Sequence, residues 1–182
     1  AQLGKGNFSA INPETSTIQI ATPQDSLLLE LNAKLNTTYV PYGDRGSAVL
    51  TNQVAQDSSA TRLGVESCSS RIVAKGGALY KNASWDLVDR TLETGFVWQE
   101  IPVRDLPENL QSMSEAQRKA FIEDKRKARE SIQSEIQAAS EKREAFIKEA
   151  VKKQMGSDGL GEAMRKVIFE QAIAKGFSVD GC

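Results

Sequence analysis

The chain has 182 residues, 40% of them hydrophobic and 6% aromatic, which is enough for one or two small domains with a modest core. Its 23 basic and 24 acidic residues nearly cancel, so the overall charge does not favour nucleic-acid binding. Histidine is absent and cysteine occurs only twice, which excludes histidine-based nucleophile pairs and most zinc sites. We therefore predict no metal and no cofactor, and no run is apolar enough to predict a transmembrane segment.

The first 21 residues predict a short strand region. NFSAINPETSTIQIA, residues 7–21, contains two extended runs around the turn signal at 12–14, as in a β-hairpin. The spacing of apolar residues then changes from that of a strand to that of a helix. TPQDSLLLELNAKL predicts a helix with Thr22 as its N-cap and Pro23 in the first helical position. The apolar face of that helix consists of Leu27, Leu28, Leu31 and Leu35.

Residues 22–112 are predicted to form a small helical domain. After this first helix, further helices are expected at about 47–60 and 65–80, and Gly76 weakens the second by about 1 kcal/mol relative to alanine. Ser84 is the expected N-cap of a short helix that contains Trp85. GFVWQEIPV, residues 95–103, is predicted to be extended, and RDLPENL is predicted to be a connector.

Residues 113–182 are predicted to form a long-helix hairpin. Ser114 and Gln117 have the spacing of a capping box, and neither glycine nor proline occurs again until Gly156. The helix between them would be about 42 residues and roughly 63 Å long. A shorter returning helix, with Leu160, Met164, Val167, Ile168 and Ile173 on one face, is expected to follow. The predicted fold class is therefore mainly α.

An apolar stripe on the long helix suggests a packing surface. The stripe is interrupted by Lys125 and Arg143, so it is too narrow to be surrounded by core. It is expected to pack on another helix, and the returning helix is too short to cover all of it. The body that carries Trp85, or a second protein, would cover the remainder. Its members are Phe121, Ala128, Ile132, Ile136, Ala139, Phe146 and Ala150, and we single out Phe121, Ile132 and Phe146 as candidate protein-binding residues.

Trp85 and Trp98 are the two largest side chains of the helical domain. Either ring could stack on a sugar or a peptide, but burial in a small core is the commoner use of tryptophan, and we predict structural roles for both. Asp86 and Asp89, three residues apart, are candidate acids of a carboxylate-based hydrolase. Two acids at that spacing on a helix are more often surface or capping residues, so the primary prediction is that the chain is not an enzyme.

Several motifs, taken in order, resemble a known family. LNTTYVPYG, NQVAQDSSA, YKNASWDLVD, RESIQSEIQAASEKREAFI and AKGFSV are similar to the region that follows the von Willebrand factor type A (VWA) domain in bacterial secreted or periplasmic proteins. The resemblance extends from about Asn7 to Val179. It implies that residues 1–21 are the end of a VWA domain whose bulk lies upstream, although the role of this family is unsettled.

The resemblance also directs the functional prediction. It implies a non-enzymatic interaction or structural module, a helical C-terminal extension of a cell-envelope VWA-type binding protein, located in the periplasm or secreted. Its expected partner is a protein or the upstream VWA domain. In such an oxidising compartment Cys68 and Cys182, the only two cysteines, are expected to form a disulfide.

One motif superficially matches the metal-binding motif of a VWA domain. Asp57, Ser59 and Thr61 match the D-x-S-x-S pattern that holds the metal in such domains. That pattern follows a buried strand in the family, whereas NQVAQ predicts a polar amphipathic helix here. We therefore predict that Asp57 lies on a solvated helix face and binds no metal.

Overall fold

A computed structural model of the protein describes residues 20–155, 167–173 and 175. The predicted hairpin, the turn after Gly156, the first part of the returning helix and Cys182 lie outside these residues. The described part is mainly helical, as predicted, and contains no β-strand beyond one antiparallel bridge between Pro41 and Asp86. Its α-helices are α1 (Asp25–Asn36), α2 (Gly43–Leu63), α3 (Val65–Gly76), α4 (Leu87–Arg90), α5 (Glu108–Gln111) and α6 (Glu115–Met155).

Helix α1 begins later than the sequence predicts. Its N-cap is Gln24, and the Thr22 hydroxyl has no hydrogen-bond partner, so the predicted capping role of Thr22 is wrong. The backbone of Thr22 instead closes a turn with Asp25: each backbone N–H donates to an oxygen of the other residue, over 2.6 and 3.2 Å. This turn satisfies the N–H of Asp25, which the side chain of a threonine cap would otherwise serve.

Glycines fix the geometry around α3. Gly64 separates α2 from α3 with φ 123° and ψ 171°, a conformation that is essentially restricted to glycine, and it allows the sharp turn between the two helices. Helix α3 ends at Gly76, four residues before the predicted end. A Cβ added at Gly76 would lie 2.9 Å from Cγ2 of Ile136, so this glycine permits the close approach of α3 and α6.

The segment between α3 and α6 differs most from the prediction. The N-cap of α4 is Asp86 and not Ser84, because the Asp86 carboxylate accepts the backbone N–H of Asp89. The segment 95–103, predicted to be extended, contains a 3-10 turn at Trp98–Glu100, and the predicted connector contains a second turn at Val103–Asp105 and helix α5. Among the described residues no strand lies beside this segment, and short turns satisfy its backbone locally.

Helix α6 begins with the predicted capping box. The N–H of Ser114 donates to Oε1 of Gln117 over 2.8 Å, and the N–H of Gln117 donates back to Oγ of Ser114. The helix has 41 residues, which corresponds to about 62 Å, and it packs on α1, α3 and α4. It therefore braces the helical body along much of its length.

Two apolar clusters form the core, and α6 contributes to both. Ile136 and Ala139 join a cluster between α1 and α3 that contains Trp85, and Ile122 joins a second cluster around Trp98. The first also includes Leu28, Leu31, Leu35, Tyr39, Cys68 and Ile72; the second also includes Val40, Leu87, Val88, Ile101, Leu106 and Leu110.

The buried face of α6 matches only part of the apolar stripe that the sequence predicts: Ile136 and Ala139 are buried, and Phe121 and Ile132 are partly buried. Ile122, Arg129, Ile136 and Arg143, spaced by seven residues, are buried, whereas Ala128 is exposed and Phe146 is 42% exposed. The prediction treated Arg143 as an interruption and did not include Arg129. Both arginines can be buried because carboxylates of the helical body pair with their guanidinium groups.

Residues 167–173 are helical, in agreement with the predicted returning helix at those positions. Their large apolar side chains, Val167, Ile168, Phe169 and Ile173, are exposed.

Candidate functional site

The first candidate site is a buried polar cluster centred on Asp57. Oδ2 of Asp57 accepts a hydrogen bond from Nζ of Lys75 over 2.6 Å, and Oδ1 accepts one from Nε of Arg71 over 2.7 Å. Asn32 and Asn36 of α1 donate to the same carboxylate over 3.2 and 2.9 Å. Asp57 is 8% exposed, so the prediction that it lies on a solvated helix face is wrong. The cluster joins α1, α2 and α3 through one carboxylate.

Lys75 is the most enclosed charged side chain in this cluster, only 1% exposed. Its Nζ donates to three oxygens: Oδ2 of Asp57 at 2.6 Å and the amide oxygens of Asn32 and Asn36 at 2.9 and 2.8 Å. An ammonium group has three protons, so each has an acceptor. Lys75 is therefore a protonated lysine whose three N–H groups are all bonded, and it has no free lone pair for nucleophilic chemistry.

The pKa values of the cluster reflect opposing effects. Burial alone would raise the pKa of Asp57, but hydrogen bonds from Asn36, Lys75 and Arg71 outweigh it and lower this pKa below the ordinary value. Burial lowers the pKa of Lys75, and the carboxylate of Asp57 opposes that effect. Asp57 is therefore held as an anion, which suits a structural counter-ion and not a proton donor.

The resemblance of this region to a VWA metal motif does not extend to its geometry. The hydroxyl of Ser59 donates to the carbonyl of Ala55, and the hydroxyl of Thr61 donates to the carbonyl of Asp57, both within α2. Their oxygens are thus directed to the helix backbone and not to a shared point. Among the residues that the structure describes, no three His, Cys, Asp or Glu side chains are grouped so as to hold a metal ion.

The second candidate site contains the two acids of the predicted alternative enzyme. Asp86 is fully buried; its Oδ1 accepts the N–H of Val40 over 2.7 Å, and its Oδ2 accepts the N–H of Asp89. Nη1 of Arg129 donates to Asp86 over 2.7 Å and to Asp89 over 2.8 Å. The two carboxylates thus share one guanidinium. Asp86 caps α4, and both aspartates attach α6 to this part of the chain.

Arg129 uses four of its five N–H groups in hydrogen bonds within the chain. Besides the two aspartates, its Nε and Nη2 donate to Oγ1 and to the carbonyl oxygen of Thr38 over 3.0 and 2.9 Å. The guanidinium carbon lies 4.4 Å from the ring centroid of Tyr39, a cation–π distance. Arg129 thereby ties α6 to the segment between α1 and α2 and to the start of α4.

The pKa of Asp86 is raised, because complete burial disfavours its anion more than the Arg129 hydrogen bond favours it. A raised carboxyl pKa is one property of a general acid. A general acid also needs a path to substrate, and both oxygens of Asp86 are bonded inside the chain. Asp86 therefore fits the role of a buried helix cap better than that of a proton donor.

A third cluster lies where α6 passes the start of α1. Nε of Arg143 donates to Oδ1 of Asp25 over 2.9 Å, and Nη2 donates to Oε2 of Glu66 over 2.7 Å. Burial would raise the pKa of Asp25, but hydrogen bonds from Thr22 and Arg143 lower it overall. The two buried arginines, Arg129 and Arg143, thus attach α6 at two points on either side of Ile136.

The remaining predicted site residues are not brought together. Trp85 and Trp98 are buried in different apolar clusters. Phe121 and Ile132 are partly buried against those clusters, and only Phe146 of the three candidate binding residues remains exposed. Cys68 is buried, with its Sγ 3.4 Å from the Thr61 hydroxyl. Its predicted disulfide partner, Cys182, lies outside the described residues.

Sequence reasoning missed three central residues: Asn32, Lys75 and Arg129. Arg129 had a detectable signal, because Ile122, Arg129, Ile136 and Arg143 recur every seven residues, the period of a long packed helix seam. Lys75 and Asn32 gave no comparable signal. Their roles depend on which helices become neighbours, and spacing along one helix does not reveal that.

Several open grooves lie along α6. One, of about 640 Å³, runs beside its first turns and is lined by Leu92, Phe96, Val97 and Trp98 on the body side. A second, of about 590 Å³, lies between α3 and α6. A third, of about 540 Å³, lies near the far end of α6; one face of the helix and Gln24 line it. In the part of the chain described, no helix has the length and apolar character needed to cross a membrane.

Comparisons of the chain with models of known protein families, with curated proteins and with solved structures find no match. The resemblance to the region after a VWA domain therefore rests on sequence motifs alone.

Proposed function

We propose that the chain is a non-enzymatic interaction or structural module, a helical extension that couples a VWA-type domain to a protein partner in the cell envelope. The observation that supports the non-enzymatic part of this proposal is the state of the buried charges. In the described part of the chain, the five buried charged side chains all lie in ion pairs with other residues of the same chain: Asp57, Lys75, Asp86, Arg129 and Arg143.

Such pairing fits a scaffold better than a catalyst. An acid, base or nucleophile must present a free proton or lone pair to a substrate at hydrogen-bond distance. The acids of the hydrolase alternative, Asp86 and Asp89, are instead bonded to Arg129 and to backbone N–H groups. These bonds stabilise one arrangement of the helices and leave the surface for recognition.

The groove beside the first turns of α6 supports an interaction role. Leu92 is 63% exposed and Val97 is 45% exposed, and both line this groove next to the buried ring of Trp98. Large apolar side chains around a concavity are typical of protein interaction sites. We place the partner-binding surface of the proposed module here.

Capture experiments with matched variants test this function. The chain, immobilised through a tag, should retain a protein from cell-envelope extract, and Leu92→Glu or Val97→Glu should abolish retention without lowering the melting temperature. Leu79→Glu is the matched control, because Leu79 is 97% exposed but does not line this groove. Equal retention by all three variants would contradict the proposed surface.

The hydrolase alternative makes the opposite prediction. It requires turnover of ester, amide or glycoside substrates that Asp89→Asn abolishes while the fold is retained. Such turnover would overturn the non-enzymatic proposal.

A further inference from the structure

The groove near the far end of α6 is built on one face of that helix. Successive turns present Lys142, Ala145, Phe146, Glu149, Ala150 and Lys153, and Gln24 faces them from the segment before α1. Phe146 is 42% exposed in this groove, of about 540 Å³. An occupant that covers the exposed part of this ring would remove apolar surface from water, which is favourable.

The path of the chain leads directly to this groove. Gln24 lines it, and the next residue, Asp25, is bonded to Arg143 of α6. The 19 residues that precede Ile20 therefore join the described chain only a few positions from the groove. A tethered segment competes at a high effective concentration, which a separate molecule would have to match in solution.

We propose that this groove is the docking site of the chain's own N-terminal segment, residues 1–19. The segment carries apolar side chains suited to the groove floor, among them Leu3, Phe8, Ile11 and Ile18. Its only charged side chains are Lys5 and Glu14, so docking would place few charges against the apolar floor. The proposed docking rests on the groove and on the chain path; it is an alternative to the implied placement of residues 1–21 at the end of a VWA domain, and it does not depend on the partner proposed above.

Site-specific photocrosslinking of the full chain tests this docking. A photoreactive phenylalanine analogue, p-benzoylphenylalanine, replaces Phe146 in one sample and Val151 in the other. Val151 is a matched control because it is an exposed apolar residue five positions along the same helix, roughly 140° around the axis from Phe146. Irradiation of the monomer, followed by peptide mass spectrometry, identifies what each position touches.

Crosslinks from position 146 to residues 1–19, with few or none from position 151, are the expected result. Ala150→Glu should then reduce the yield from position 146, because it places a charge on the groove floor. Crosslinks from position 146 mainly to residues 156–182 or to a second copy of the chain would overturn the proposal, as would equal crosslinking from both positions or none at all. None of these outcomes affects the capture experiment, which probes the groove beside the first turns of α6.

Discussion

Nη1 of Arg129 lies 2.7 Å from Oδ2 of Asp86, although 43 residues separate them in the sequence. Asp86 is fully buried and the Arg129 side chain is 7% exposed, so this pair joins α6 to the start of α4 inside the protein. The same carboxylate caps α4, which means that helix capping and tertiary attachment depend on one side chain.

Arg129→Met should destabilise the protein strongly, because it leaves Asp86 buried without its counter-ion. Breaking a buried pair in this way typically costs about 3–5 kcal/mol, which urea unfolding would measure. Arg126→Met is the control, since Arg126 pairs with Glu123 and Glu130 on the surface of the same helix and should change stability little. Equal losses for both variants would show that the buried pair is not the attachment.

Stability should fall at acid pH because the pKa values of Asp57 and Asp25 are lowered in the folded state. A lowered carboxyl pKa contributes stability above its unfolded value of 3.8, and that contribution is lost as the pH falls through the folded value. Asp86, whose pKa is raised, acts in the opposite sense and offsets part of the loss.

Melting temperatures measured from neutral pH down to about pH 3 test this dependence. Asp57→Asn should be less stable than the parent at neutral pH, because Lys75 and Arg71 lose their counter-ion. Its stability should also change less between pH 5 and pH 3. If the melting temperature of Asp57→Asn fell with pH as steeply as that of the parent, the assignment of acid sensitivity to Asp57 would be contradicted.

Trp85→Ala should destabilise the fold. Trp85 is buried in the cluster between α1 and α3, and its ring centroid lies 5.4 Å from that of Tyr39. Truncation of a buried aromatic residue to alanine typically costs about 3–5 kcal/mol. Leu79→Ala should stay within about 0.5 kcal/mol of the parent, because Leu79 is 97% exposed. A Trp85→Ala variant with the parent's urea midpoint would show that the ring is dispensable for packing.

Gly76→Ala should fail to stabilise the protein, although alanine is the better helix former by about 1 kcal/mol. The added Cβ would lie 2.9 Å from the branched Cγ2 of Ile136, and a β-branched side chain has little freedom to move away. A double-mutant cycle with Ile136→Ala should reveal coupling between the two positions. Additive effects on unfolding would mean that α3 and α6 separate easily at this point.

Local chemistry explains which parts of the fold were predictable. Neighbours in sequence encode the capping box at Ser114 and Gln117, the uninterrupted helix up to residue 155 and most of the leucine face of α1, and the structure contains them. Leu27 was also assigned to that face, but it is 43% exposed. The segment around Trp98 was predicted incorrectly, because its alternation of apolar and polar residues suits a strand, whereas no partner strand is present among the described residues.

The candidate sites were less predictable, because they depend on contacts between distant residues. Asp57 on its own helix resembles a surface residue, and only the approach of α1 and α3 buries it beside Asn32 and Lys75. Arg129 was overlooked because a charged residue in an apolar seam usually marks a solvent-facing position. The carboxylates that make its burial favourable lie about 40 residues away in the sequence.

The two arginine attachments of α6 also determine when the protein can finish folding during synthesis. Arg129 bonds to Thr38 across 91 positions, and Arg143 bonds to Asp25 across 118 positions. Synthesis proceeds from the N-terminus, so α1 to α4 leave the ribosome while Asp86 has no counter-ion and Leu28 and Ile72 lack the cover of Ile136. Closing such long loops also slows folding relative to helical bundles with local contacts. The helical body therefore reaches its final packing only after α6 has been synthesised, and a chain that stops before residue 136 leaves Leu28 and Ile72 without the cover of Ile136.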